Sequence, residues 1–171
     1  MSEEKNLFEN GFEEYPFWWV FLQNIFLLIY FGTGFAGIWK LQIYRIPFVS
    51  ITYIIFIVIM LLFVLRKHLC TNCYYYGKRC NTGWGKIALI FRKNSGNYKT
   101  GTALAGLTWM LVTLIPVTGF IIILFSNFSI FTLVLFVLFV LLTPVNFIIH
   151  KKACETCKMR FICPASMAKT I

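Results

Sequence analysis

Six cysteines are the residues of this chain best suited to chemistry, and they fall into two sets, Cys70-x2-Cys73-x6-Cys80 and Cys154-x2-Cys157-x5-Cys163. A C-x2-C pair sets two sulfurs around one turn, where they can grip an ion or a cluster. In a reducing compartment thiols serve as metal ligands or catalytic groups more often than as structural disulfides. The pattern therefore points to metal. Redox-active dithiols and inert buried thiols are the competing readings.

A structural zinc ion takes four ligands, commonly four cysteines or three cysteines and a histidine. His68 lies just before Cys70 and His150 just before Cys154, so two sites of the three-cysteine, one-histidine type can be drawn. Both histidines equally belong to the basic collar at the helix ends. Iron–sulfur clusters are held by cysteine thiolates, and a proline often follows the last cysteine of a ferredoxin run, as Pro164 follows Cys163. With three cysteines per set, either each cluster keeps an open or histidine-ligated iron, or the sets share their ligands. Two sites on one membrane face suit electron transfer, which tips the reading toward iron–sulfur and leaves zinc open. Haem is disfavoured, because axial ligation would rest on His68 and His150 alone.

The elements that must position these thiols are membrane spans. The chain has 171 residues, of which 59% are hydrophobic, 19% aromatic and only 13% charged, where a soluble domain carries about a quarter charged residues. Residues 17–39, 47–65, 102–125 and 130–149 contain no charged side chain. Each is long enough, at about 1.5 Å per residue, to cross a hydrocarbon core roughly 30 Å thick. Backbone groups must be satisfied inside lipid, so the spans should be helices. The stretch "MSEEKNLFENGFEEY" is acidic where a secretory leader is basic, so the first span should remain in the mature chain.

Eight basic residues lie between Arg66 and Lys99 with no acid among them, and five more follow Ile149. The opposite connections, "KLQIYRI" and "SNFS", carry two and none. The positive-inside rule thus places the long loop and both termini in the cytoplasm of a multi-pass protein of the cell (inner or plasma) membrane. This topology accounts for most of the net charge of +10, so no nucleic acid is expected as partner. The expected partners are the lipid bilayer, an acidic cytoplasmic protein and other membrane subunits.

A shift of 84 residues superposes Cys70 on Cys154 and Cys73 on Cys157, and brings the starts of the paired spans into line. The layout reads as an all-α integral membrane protein of two tandem, parallel helical-hairpin repeats, each followed by a cysteine-rich cytoplasmic segment. Residues 1–16 form an acidic N-terminus. Residues 17–80 form the first repeat, with its motif at 70–80, and 81–101 a linker. Residues 102–163 form the second repeat, with its motif at 154–163, and 164–171 a tail. Within the linker, Gly83-Trp84-Gly85-Lys86 reads as a turn and Lys86–Lys93 as a short amphipathic helix, with Trp84 and Tyr98 at the membrane interface.

The tail spacing C-x2-C-x5-C is similar to part of the cluster-binding motif in the SPASM extensions of radical-SAM enzymes, whose next cysteine would fall at Met167. In outline the chain also resembles the four-span quinol-dehydrogenase membrane subunits of periplasmic nitrate reduction. It lacks their ferredoxin domains and C-x3-C-P motifs.

The spans hold no ionisable residue, and their polar content is Gln23, Asn24, Asn146 and scattered Ser and Thr. That argues against an ion-coupled transporter or proton pump. The leading expectation is electron transfer between a cytoplasmic donor and a quinone or partner subunit through a metal or iron–sulfur site on Cys70, Cys73, Cys80, Cys154, Cys157 and Cys163. A zinc-stapled scaffold and a soft-metal handling protein are the alternatives.

Overall fold

The structure, a computed structural model, describes residues 7–42 and 44–168. Residues 1–6 of the acidic N-terminus, Ile43, and residues 169–171 of the tail with Lys169 lie outside the described residues. Four helices are long and apolar enough to cross a membrane: α1 (Phe17–Ile38), α2 (Phe48–Asn72), α3 (Tyr98–Ser126) and α4 (Ile130–Glu155). Together they make an all-helical, multi-pass membrane protein, with no strand among the described residues.

Three of the helices outrun their apolar stretches, because hydropathy marks only the part that lipid requires. α3 starts at Tyr98, where the Asn97 side chain caps it by accepting the Thr100 N–H at 3.1 Å. α2 and α4 continue through their basic collars and carry Cys70 and Cys154 on their last turns. α2 also contains a π-helical stretch, Met60–Val64. That wider turn accommodates an extra residue and re-aims the collar and Cys70 beyond it. The corresponding helix α4 holds Pro144, 84 residues beyond Met60, which removes an N–H from its hydrogen-bond ladder.

Lipid offers no hydrophobic drive between spans, so close approach over small residues must supply it. A Cβ on Gly37 of α1 would lie 1.9 Å from the ring of Phe120 on α3, and one on Gly119 of α3 would lie 2.5 Å from Ile38. Tyr30 of α1 stacks on Phe139 of α4, with ring centres 4.8 Å apart and planes 13° off parallel. Pro116 within α3 has no N–H to offer the Val112 carbonyl four residues back. The buried Tyr53 hydroxyl of α2 donates to that carbonyl instead, at 3.2 Å.

The linker is more compact than its sequence suggests. Gly83, at φ +75°, precedes one helical turn, Trp84–Ile87, and a 3-10 turn, Ala88–Ile90. The helix is short because Gly85 is pressed against the chain near Tyr75, where a Cβ would lie 2.1 Å from the Tyr75 carbonyl oxygen.

Tyr53→Phe should leave the Val112 carbonyl without a partner in an apolar bundle and cost about 1–3 kcal/mol. The expected readout is a lower melting temperature of the detergent-purified protein with unchanged helix content by circular dichroism.

Candidate functional site

Both cysteine segments fold over the same end of the bundle. All six cysteines, three from each segment, line one chamber of about 810 Å³ between the four helices. The two C-x2-C turns close in the same way: the Cys73 N–H donates to the Cys70 carbonyl at 3.3 Å, and the Cys157 N–H to the Cys154 carbonyl at 3.2 Å. Cys80 lies 3.4 Å from the Thr82 hydroxyl. Cys163 accepts a hydrogen bond from the Tyr98 hydroxyl at 3.2 Å. His150 sets its Nε2 3.6 Å from the Cys154 sulfur.

The two histidines part company here. His150 lines the chamber, whereas His68 is absent from its wall and accepts the Asn97 N–H on Nδ1 at 3.1 Å. In the 84-residue register His150 corresponds to Arg66, the first residue of the other basic collar. Arg66 is only 2% exposed, lies 5.2 Å over the Trp84 ring, and forms no ion pair among the described residues. Its charge is within electrostatic reach of Cys70 and Cys80.

The N-terminal segment straps the two cysteine segments together, a role that its acidity alone does not reveal. Phe8 and Phe12 donate backbone N–H groups to the carbonyls of Lys158 and Thr156, both at 2.9 Å, and the Tyr15 N–H donates to the Arg79 carbonyl at 2.9 Å. The buried Tyr75 hydroxyl donates to the Phe12 carbonyl at 2.6 Å and accepts the Lys158 N–H at 3.1 Å. The Tyr15 hydroxyl reaches the Ala153 carbonyl at 2.6 Å. Gly11 is required where the strap crosses Lys158, since a Cβ there would lie 2.7 Å from the Lys158 nitrogen. Glu13 pairs with Lys158 at 2.7 Å, and Glu14 with Arg79 at 3.0 Å. The Lys158 hydrogen bond, helped by one from Tyr74, holds the Glu13 carboxyl below its ordinary range.

Aromatic side chains build much of this end: Trp84 and Tyr98 line the chamber, Tyr75 ties the strap, and the Tyr76 hydroxyl donates to the Phe91 carbonyl at 2.7 Å. Burial also shifts two thiols that lie beyond the spanning helices. It pushes Cys157 up to about 11, with the neighbouring Cys154 and Cys163 adding to the rise, and it pushes Cys73 up as well. At neutral pH these groups are therefore protonated unless a cation replaces the proton.

A zinc–sulfur distance of about 2.3 Å brings tetrahedral thiolates within roughly 4 Å of one another. Among the described residues no three of the Cys, His, Asp and Glu side chains converge that tightly. No family model matches the chain, and neither a curated protein nor a solved structure matches it.

In metal-free protein, alkylation of Cys157 should keep accelerating up to about pH 11, where an exposed thiol levels off near its ordinary value of about 8.5. Mass-spectrometric labelling rates between pH 7 and 11, read from the Cys157 peptide of the protein with all six cysteines in place, measure this.

Proposed function

We propose that this chain is an electron-transfer protein of the cell membrane, in which thiols from both halves hold one shared iron–sulfur cluster at the cytoplasmic end of the bundle. The observation that carries the reading is the convergence of all six cysteines on a single chamber. Four thiolates complete a cluster, which leaves two thiols over.

Electrostatics support the same reading. A buried guanidinium without a carboxylate partner is costly, and a four-thiolate cluster, being anionic, would supply the missing counter-charge to Arg66. The hydrogen bond from Tyr98 to Cys163 is of the kind that tunes a cluster's potential. Apolar cover and the strap would shield the cluster from water while leaving it near the surface.

The two hairpins are read as tandem repeats on the strength of the matched C-x2-C turns and the matched interruptions at Met60 and Pro144. The basic face around the thiol end would dock an acidic soluble donor, and the acceptor would be a lipid quinone or a partner subunit in the membrane.

Anaerobically purified protein should show broad absorbance near 400 nm that bleaches on reduction, with about four irons per chain. Replacing either whole set by serine, Cys70, Cys73 and Cys80 or Cys154, Cys157 and Cys163, leaves three thiols and should abolish it. A colourless protein with stoichiometric zinc overturns the proposal, and loss of iron on replacing one set but not the other overturns the shared site.

A further inference from the structure

The chamber does not end at the thiols. Along α3 its wall runs from Thr102 through Gly106 and Met110 to Leu114, one continuous helical face. Twelve residues at about 1.5 Å each carry it roughly 18 Å toward the middle of the membrane. On α1, α2 and α4 the lining at this depth includes Leu27, Leu61 and Phe147.

This deeper part opens sideways. Leu27 and Leu61 line the chamber and are each only 6% exposed, as interior residues should be. Met110 and Leu114 of α3 and Phe147 of α4 also line it, yet they are 50%, 49% and 47% exposed. Gly106 on the same face of α3 is exposed, and a Cβ there would meet nothing within 4 Å. The seam between α3 and α4 is therefore a window onto the lipid.

The lining also specifies what fits. Among the described residues no Lys, Arg, Asp or Glu lines the chamber, and its one histidine, His150, is engaged beside the Cys154 sulfur, so the deeper part offers no charged partner to a phosphate or an ammonium headgroup. It does offer the Trp109 ring as a flat apolar surface and the carboxamides of Gln23 and Asn146 as hydrogen-bonding groups. Gln23 is 7% exposed, and its side-chain oxygen is buried with no hydrogen-bond partner. Leaving such an atom unpaired is costly, which points to a donor from a ligand.

We propose that this chamber binds the headgroup of a lipid quinone, which enters through the α3–α4 window and leaves its isoprenoid tail in the bilayer. The inference rests on the electron-transfer reading of the thiol site and names its acceptor. Gln23 and Asn146 hold the ring oxygens, and the quinol hydroxyl donates to the Gln23 oxygen. A cluster held by these thiols would relay two electrons singly from two molecules of a reduced soluble one-electron carrier, which are oxidised. With two protons from water at the thiol end, these would convert one quinone to one quinol.

The test is a titration of decylubiquinone into protein held in lipid nanodiscs, read by quenching of tryptophan fluorescence, with iron measured on the same preparation. Saturable quenching is expected. Gly106→Phe, which fills the window without meeting a neighbour, should weaken binding at least tenfold. Gly32→Phe, a matched substitution on the outer face of α1 where a Cβ also has free space, should leave it unchanged. Gln23→Leu should weaken it about threefold to tenfold, the worth of one hydrogen bond. Quenching that fails to saturate, or that is indifferent to Gly106→Phe and Gln23→Leu, overturns the quinone chamber; iron still bound in that preparation leaves the cluster reading standing. Saturable, window-dependent binding by protein that never carries iron supports the chamber and overturns the cluster.

Discussion

Ionising a thiol inside an enclosed space costs far more than doing so in water, and the thiol end of this protein is organised around that cost. Six sulfurs share one chamber whose walls carry no carboxylate and no ammonium among the described residues. Burial keeps Cys73 and Cys157 protonated, and Arg66, within electrostatic reach of Cys70 and Cys80, is itself buried without an acidic partner among them. Each half of this arrangement is unfavourable alone. The proposed cluster, a net anionic complex beside the guanidinium, would relieve both together.

The membrane part holds that end in place through contrasts in packing. On one side α1, α2 and α3 meet over Gly34, Gly37 and Gly119, with Tyr53 repairing the gap that Pro116 leaves in its own helix. Tight contacts of this sort have little room to shift. Nearer the thiol end of α3, where Ala105, Gly106, Trp109 and Met110 line the chamber, the packing opens into a void beside this rigid seam. The same helix thus serves as a packed element over one half of its length and a chamber wall over the other.

Much of the architecture was legible in the sequence. Uncharged runs of membrane length marked all four spans, and the position of the cysteines beyond the second and fourth marked where the chemistry gathers. What escaped were features that depend on contacts between distant segments. Hydropathy marks an aromatic near a span end but not what it touches, so the chamber contacts of Tyr98 and the strap contacts of Tyr75 left no trace in it. The composition of residues 7–15 suggested only an acidic end, because its hydrogen bonds run from the backbone to partners more than 60 residues away. The pairing of His68 with His150 came from residue type. The 84-residue register matches His150 with Arg66 instead, and the chamber sits beside that pair, while His68 turns to the linker. The depth of the chamber had no sequence signal, since Gly106, Met110 and Phe147 read as ordinary lipid-facing residues.

The strap also sets an order of events during biosynthesis. Phe8 emerges from the ribosome among the first residues, but its partner Lys158 is made 150 residues later. Until then the first cysteine segment stands at the membrane surface with no lid and half of its companions unmade. Contacts of such long sequence separation form late. The lid over the thiols is thus among the last parts of the fold whose partners are synthesised, so it closes only after both cysteine segments exist.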